Sequence, residues 1–242
     1  MMMDKGLSTG QAKELVSVAG DLIDFAKLGF GTSVVCKHSK EKVKIYRDYG
    51  IKVFLGGTLF EAYAVRKMID EYKKFIEDLG VDAVEISDGS ICIEHGLKCQ
   101  YIRDFARDYI VFSEVGAKED DIFDEPKKWT EHMERELDAG SNYVIAEARE
   151  SGTVGIYKKD GTAEASLIND ILKKIPSKQI LWETPLKAQQ IWFIKLIGAN
   201  VNLGNIAPMD VIPLETLRLG LRGDTFFEFL PEEYQKYKLK KK

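Results

Sequence analysis

Short apolar runs rich in branched and aromatic residues alternate along the chain with longer amphipathic stretches. The apolar runs recur about every 30 residues, which is the length of one strand–helix unit of a parallel sheet. The predicted strands are residues 23–27, 52–55, 83–87, 110–114, 143–147, 180–183 and 201–203. Strands that alternate with helices in this way predict an α/β fold with a parallel sheet, either open or closed into a barrel.

The clearest helical pattern spans residues 59–79, where apolar side chains recur on one face. Thr58 and Glu61 have the spacing of a capping box, in which both side chains satisfy free backbone N–H groups at a helix start. A second helix is predicted to begin after Thr184 and Pro185, because proline is favoured in the first helical turn.

Residues 1–3 remain to form an eighth strand before the seven that the pattern predicts. The length of 242 residues is typical of one eight-fold strand–helix barrel, and no linker rich in proline or serine divides the chain. We therefore expect residues 1–242 to form a single (β/α)8 TIM barrel whose first strand is short or truncated.

Composition and charge narrow the classes of function. The net charge of −4 argues against nucleic acid as a partner, because a phosphate backbone calls for a clustered basic surface. No apolar run reaches the ~18 residues of a membrane span, and Asp4 and Lys5 interrupt any signal-peptide core. Three cysteines without a CxxC pair are typical of reduced thiols in a cytoplasmic protein.

The three histidines, His38, His95 and His132, are far apart in sequence and fit no zinc spacing. The chemistry of this protein is therefore expected to rest on carboxylates, lysines and arginines.

Polar residues stand where most of the predicted strands end, and in a parallel barrel the carboxyl ends of the strands carry the chemistry. In chain order these residues are Asp4 and Lys5, Lys27, Gly56 to Thr58, Glu85 with Ser87 and Asp88, Ser113 and Glu114, Glu147 and Arg149, Glu183, and Asn202 with Asn205. Each of them alone is explained by a salt bridge at the barrel rim. Together they would be costly to bury unless they hold a metal or an anion.

The residue types indicate which ligands such a rim would take. Carboxylates without histidine or thiolate ligands suit a hard ion such as Mg²⁺. Lys5, Lys27 and Arg149 suit an anionic substrate, which an arginine can bind through two hydrogen bonds.

Two glycine-containing segments and one arginine pair have more than one interpretation. Gly56 to Thr58 is explained equally well as a phosphate-binding helix start and as a tight turn. Ser151 and Gly152, next to Arg149, form a better candidate anion loop. Arg218 and Arg222 lie four residues apart on a predicted helix face, where a structural role and a substrate contact are both open.

Several longer motifs, in one collinear order, resemble the phosphosulfolactate synthase family. They are KLGFGTS (27–33), GGTLFE (56–61), VEISDGS (84–90), SEVG (113–116), EARESG (147–152), VNLGNI (201–206) and LETLRLGLRGDT (214–225). The chain departs from the family pattern at its short first strand and after Gly116, where Lys118 stands one position later than the expected cation.

The resemblance implies a (β/α)8 barrel that adds sulfite to C3 of phosphoenolpyruvate with Mg²⁺, giving (2R)-phospho-3-sulfolactate. Such an enzyme is a carbon–sulfur lyase, and in methanogens its reaction begins coenzyme M biosynthesis. On this hypothesis the metal ligands are Glu85, Glu114, Glu147 and Glu183. Catalytic roles fall to Lys5, Lys27, Glu85 and Asp88, with Lys5 or Lys27 stabilising the intermediate or delivering a proton to C2. Substrate contacts fall to Arg149, Ser151, Gly152, Asn202, Asn205 and Arg222.

Two other functions stay open at this point. The chain could be another barrel enzyme that uses phosphoenolpyruvate or a phosphosugar, which would not need sulfite. It could also be a non-catalytic relative linked to heat tolerance in plants, although the intact acidic rim favours an enzyme. Self-association into a homo-oligomer is compatible with either function.

Overall fold

A ring of short parallel strands forms the centre of the fold. The computed structural model describes residues 1–116, 126–148 and 151–239. Over these residues the strands are β1 (Met2–Asp4), β2 (Phe25–Leu28), β3 (Lys52–Leu55), β4 (Ala83–Ile86), β5 (Ile110–Val115), β6 (Tyr143–Ala146), β7 (Ile180–Glu183) and β8 (Leu203–Gly204). The first strand is short, as the sequence predicts.

Helices connect the strands and pack around them. They are α1 (Thr9–Ala19), α2 (Thr32–Val35), α3 (Ser39–Asp48), α4 (Gly57–Val65), α5 (Ile69–Leu79), α6 (His95–Phe105), α7 (Pro126–Asp138), α8 (Ala165–Lys174), α9 (Lys187–Ile197) and α10 (Val211–Arg218). Short 3-10 helices occupy Gly20–Leu22, Ser177–Gln179, Pro208–Asp210 and Glu232–Tyr237. In the described part of the chain, no helix is both long enough and apolar enough to cross a membrane.

The strands neighbour one another in chain order. One parallel sheet contains β1 to β3 and a second contains β4 to β8. At the seam between β3 and β4, the Asp82 N–H donates to the Val53 carbonyl at 2.9 Å. At the other seam Met2 pairs in parallel with Ile206, and the Met3 N–H donates to the Ile206 carbonyl at 2.8 Å. The predicted (β/α)8 barrel is confirmed.

Side chains that face the inside of the barrel change from apolar to charged along the strands. A separate interior cluster fills the first half of the barrel, formed by Phe54, Ala83, Phe112, Ile145 and Leu181 with Phe25 and Tyr143 packed against it. Because side chains alternate between the two faces of a strand, the next inward position lies two residues further on. Those positions are occupied by Lys27, Glu85, Glu114, Glu147 and Glu183. The apolar cluster therefore fills the barrel interior directly beneath five ionisable side chains.

The predicted helix over residues 59–79 is two helices, because Lys67 adopts a left-handed φ of 58° between α4 and α5. The predicted capping box is also wrong. The N-cap of α4 is Gly56, which makes no side-chain capping bond, and the Glu61 carboxylate accepts hydrogen bonds from the Ser87 hydroxyl and the Ser90 N–H instead. Glu61 is thus drawn away from its own helix towards the end of β4.

Candidate active site

Four glutamates converge at the carboxyl ends of β4, β5, β6 and β7. Glu85, Glu114 and Glu183 lie on their strands, and Glu147 directly follows β6. Each stands two residues beyond an apolar side chain of the interior cluster, and each is buried, with at most 6% of its surface exposed. We call Lys27 and these four residues the acid ring; its members are Lys27, Glu85, Glu114, Glu147 and Glu183.

Lys27 reaches the acid ring from β2, on the opposite wall of the barrel. Its Nζ lies 2.8 Å from Glu85 Oε2 and 3.4 Å from Glu183 Oε1. Backbone N–H groups hold the remaining oxygens of these two carboxylates. Gly57 donates to Glu85 Oε1 at 2.7 Å, and Ala148 donates to Glu183 Oε2 at 3.0 Å. The lysine and both carboxylates are therefore held from several sides.

Gly57 has to be a glycine because of that contact. A Cβ at this position would stand 2.7 Å from Glu85 Oε1 and would also collide with the Ser87 hydroxyl. The glycine pair 56–57 therefore lets a helix start approach a glutamate, and its N–H at position 57 is already engaged. The phosphate-binding interpretation of this turn is not needed to explain it.

Charge in the acid ring is unbalanced. Burial alone would lower the pKa of Lys27, but the carboxylates of Glu85, Glu183 and Glu114 outweigh burial and raise it, so the lysine stays charged. Burial raises the pKa of Glu114 well above its ordinary value, and the neighbouring charges of Glu147 and Glu85 raise it further. The pKa of Glu183 is raised by burial and by Glu85 against the opposing effect of Lys27.

Carboxylates that repel one another in a dry pocket need a cation or protons for compensation. The oxygen-rich donor set fits a hard divalent ion such as Mg²⁺. Among the described residues, however, no three carboxylate, histidine or cysteine groups are already close enough to form a metal site. Direct coordination of one ion by three of these glutamates would thus require them to move closer together, whereas coordination through water would not.

A buried lysine that the sequence reasoning missed borders this site. Asp88, two residues beyond β4, forms a salt bridge with Lys98 of α6, with 2.8 Å between Oδ1 and Nζ. A second salt bridge joins Lys98 to Glu136 of α7, also at 2.8 Å. Lys98 lies on the same helical face as the buried Ile102 and Phe105. The sequence carries a signal for this, because Lys98 has the helical spacing that places it on one face with the apolar residues Ile102 and Phe105.

The histidines on α6 and α7 also come together, although they are distant in sequence. The rings of His95 and His132 stack with 3.8 Å between their centroids, and His95 Nε2 lies 3.1 Å from Glu136 Oε1. Two adjacent helices thus bring these sequence-distant residues face to face.

Lys5 lies at the mouth of the barrel rather than within the acid ring. It is exposed, and its Nζ stands 5.7 Å above the ring centroid of Phe30. The preceding Asp4 is fully buried; its carboxylate accepts hydrogen bonds from Tyr46 at 2.8 Å and pairs with Lys42 at 2.9 Å. Asp4 therefore fixes the turn that presents Lys5.

The candidate anion loop follows β6. Arg149 lies outside the described residues, as does Lys118 in the segment after Gly116. Ser151 is exposed, and its hydroxyl lies 2.8 Å from that of Thr153. Gly152 has a left-handed φ of 67°, and its carbonyl accepts a hydrogen bond from the buried Gln189 side chain at 2.9 Å.

Three further predicted residues take different positions. Asn205 directly follows β8 with a left-handed φ of 57°, and its buried side-chain oxygen accepts no hydrogen bond from any of the described residues. Arg222 lies after α10 near Asp224, whose carboxylate pairs with Lys187 at 2.6 Å. Asn202 precedes β8, and its amide donates to the carbonyls of residues 178 and 180 at the start of β7.

Asn202 is therefore at the amino ends of the strands, and the structure does not bring it to the acid ring. It lines a cavity of about 870 Å³ there, together with Asp24 and Arg218. The Arg218 guanidinium donates to the Val201 carbonyl at 2.8 Å and to the Ala199 carbonyl, which assigns it a structural contact. The strand is shorter than predicted and begins one residue after Asn202, which explains the difference.

The comparisons with known sequences agree on one family. The family model described as (2R)-phospho-3-sulfolactate synthase (ComA) matches residues 1–224. The chain is 40% identical over 230 residues to the phosphosulfolactate synthase of Bacillus subtilis (strain 168), covering 94% of this chain and 91% of that protein. It is 42% identical over 236 residues to the phosphosulfolactate synthase of Methanocaldococcus jannaschii, covering 93% of this chain and 92% of that protein.

Solved structures are similar in fold at low sequence identity. A 3-hexulose-6-phosphate synthase from Salmonella typhimurium superposes with a TM-score of 0.56 at 14% identity, over 90% of this chain and 96% of that one. The YdjI aldolase from Escherichia coli K12 superposes with a TM-score of 0.55 at 9% identity, over 98% of this chain and 83% of that one. These similarities concern the barrel alone.

Proposed function

Since the chain belongs to the (2R)-phospho-3-sulfolactate synthase family, we propose that it adds sulfite to phosphoenolpyruvate in a Mg²⁺-dependent reaction. The sulfur of sulfite forms a bond to C3, and the C2–C3 π electrons move towards C2 and the carboxylate. A proton then adds at C2, giving (2R)-phospho-3-sulfolactate with no leaving group. The enzyme would thus be a carbon–sulfur lyase acting on small anionic molecules.

The acid ring is the observation that carries this proposal. Four buried glutamates face one buried lysine, and the pKa of Glu114 is raised by burial and by its neighbours. A divalent cation held by Glu85, Glu114, Glu147 and Glu183, directly or through water, would relieve this repulsion. When bound, Mg²⁺ would supply positive charge for the developing negative charge on the substrate carboxylate.

Lys27 is suited to stabilising charge. Its ammonium is fixed by Glu85 and Glu183 at 2.8 and 3.4 Å, and its raised pKa keeps it protonated. A fixed cation in a dry site stabilises charge that develops in the transition state without reorganising. For the same reason Lys27 is a poor proton donor, so we assign proton delivery at C2 to Lys5, which is exposed at the mouth of the barrel.

The loop after β6 would bind the phosphate group. Ser151 offers an exposed hydroxyl, and Arg149 would supply the positive charge that the sequence predicts there. Gly152 is buried, and the Gln189 amide fills the space that a Cβ would take. Gln189 fixes this loop through two of its carbonyls, at Gly152 and Gly161. Asn205, which follows β8, and Arg222, which follows α10, are the remaining candidates for substrate contact.

The test follows the enol absorbance of phosphoenolpyruvate in the presence of purified protein and Mg²⁺. Loss of absorbance is expected with sulfite and not without it, and a chelator should stop the loss. Glu147→Gln should abolish turnover, whereas Glu131→Gln, at an exposed position on α7, should not. Loss of absorbance without sulfite would contradict the proposal, and so would near-normal turnover of Glu147→Gln.

A further inference from the structure

Lys98 is a buried cation whose three hydrogen bonds connect separate parts of the site. Only 1% of its surface is exposed. Its Nζ donates to Asp88 Oδ1 at 2.8 Å and to the backbone carbonyl of Glu114 at 2.6 Å, and it pairs with Glu136 Oε1 at 2.8 Å. These acceptors belong to the segment after β4, to β5 and to α7. An ammonium has three N–H donors, so its bonding capacity is filled.

Burying a lysine so completely is costly unless its partners compensate. Burial by itself lowers the pKa of Lys98, but Glu136 and Asp88 outweigh burial and raise it, so the side chain is charged. Burial opposes ionisation of Glu136 as well, yet Lys98 and His95 lower its pKa overall. The Lys98–Glu136 pair is therefore a charged anchor between α6 and α7.

The two other contacts of Lys98 point towards the acid ring. Asp88 lies beyond the end of β4, three residues after Glu85, and its side chain is 23% exposed. The Glu114 carbonyl belongs to the same residue whose carboxylate faces the barrel interior. An ammonium that binds both groups restricts the segment after β4 and the end of β5 relative to each other.

We propose that Lys98 is a positioning residue, which holds the Asp88 carboxylate and the backbone of Glu114 in place for the reaction at the acid ring. The effect of Lys98 on catalysis rests on the proposed function, whereas its effect on the order of the segments it binds does not. A displacement of a reacting group by ~1 Å can cost ~100-fold in rate. Lys98 itself needs no contact with the substrate.

The first experiment measures amide hydrogen exchange by mass spectrometry in Lys98→Met and in Glu136→Gln. Both variants break the buried pair between α6 and α7, but Lys98→Met also removes the bonds to Asp88 and Glu114. We expect faster exchange over residues 87–94 and 114–116 in Lys98→Met, and wild-type exchange there in Glu136→Gln. Equal exchange in the two variants would overturn the proposal, whether or not the protein turns over the assumed substrates.

The second experiment is a double-mutant cycle between Lys98→Met and Asp88→Asn. We expect each single variant to lower kcat by about 10- to 100-fold with KM for phosphoenolpyruvate changed less than about threefold. If Lys98 acts through Asp88, kcat of the double variant should be no more than about threefold below kcat of the less active single variant. The positioning role would be contradicted if the two losses of kcat multiplied fully in the double variant. It would also be contradicted if Lys98→Met kept the kcat of the wild type.

Two outcomes keep these experiments decisive. An inactive wild type would count against the proposed function alone, because the exchange comparison still decides whether Lys98 orders the segment after β4. If Lys98→Met does not fold, Asp88→Asn weakens the same contact from the other side. Exchange over residues 87–94 should then rise in Asp88→Asn, and unchanged exchange there would overturn the proposal.

Discussion

Replacing Lys27 by methionine is the perturbation that the acid ring makes most informative. Methionine keeps the length of the side chain and removes its charge. The change leaves Glu85 and Glu183 buried without the cation that lies 2.8 and 3.4 Å from them. Glu114 and Glu147 are also buried nearby, so the variant concentrates like charges in a dry pocket.

The size of the effect follows from these distances. At an effective dielectric constant of ~20, a unit charge pair at 2.8 Å gains about 6 kcal/mol and one at 3.4 Å about 5 kcal/mol, before desolvation is subtracted. Taking the ammonium out of water costs several kcal/mol. Breaking a buried pair by removing one partner typically costs ~3–5 kcal/mol. We expect Lys27→Met to lose this much free energy of unfolding in the absence of Mg²⁺. Such a loss is a large fraction of the ~5–15 kcal/mol that stabilises a domain.

Urea unfolding of metal-free protein near pH 8 and near pH 5 measures this loss. The loss should be smaller near pH 5, because protonation of Glu114 and Glu183, whose pKa values are raised, removes part of the repulsion. Lys44→Met is the matched control, since Lys44 pairs with Asp48 on an exposed helix surface and should matter little. A loss under ~1 kcal/mol for Lys27→Met near pH 8 would refute the electrostatic reasoning, whose scale is the ~3–5 kcal/mol of a broken buried pair.

Three further predictions concern the same site. The raised pKa of Glu114 means that the folded protein holds a proton that the unfolded chain has lost, so the free energy of unfolding of metal-free protein falls as pH rises above 4.5. Glu114→Gln should flatten that slope in urea titrations and abolish turnover; an unchanged slope would contradict it. Mg²⁺ at about 100 times its Kd should stabilise the wild type by ~2.7 kcal/mol in the same assay, and Glu147→Gln should lose most of this gain. Gln189→Ala removes the bonds to Gly152 and Gly161 and should raise KM for phosphoenolpyruvate about tenfold, as expected for ~1–3 kcal/mol of lost loop support.

The barrel and its acids were predictable because both follow a local rule. Apolar residues fill the inward positions at the start of each strand, and the next inward position carries the charge, as for Phe112 and Glu114. Counting in steps of two along the strands therefore finds the glutamates without any knowledge of the fold.

Other features depend on contacts that no local spacing encodes. Lys98 acquires its importance when α6 brings it next to Asp88 and Glu136, and a lysine inside a helix is ordinarily exposed. Glu61 fits a capping pattern, but two donors after β4 compete for its carboxylate and bind it. The sequence pattern predicts Asn202 at the carboxyl end of its strand, but it lies before the first residue of β8. Strand boundaries that are predicted from a pattern can differ from the observed ones by a residue or two.

On the proposed function, the acid ring catalyses the formation of a carbon–sulfur bond at C3 of phosphoenolpyruvate. Its most direct test uses phosphoenolpyruvate labelled with carbon-13 at C3, incubated with the enzyme, sulfite and Mg²⁺ and followed by NMR. We expect the vinyl resonance of C3 to be replaced by that of a methylene carbon bonded to sulfur, with the phosphate still attached at C2. A vinyl resonance that persists unchanged, or a methyl resonance accompanied by release of phosphate, would contradict it.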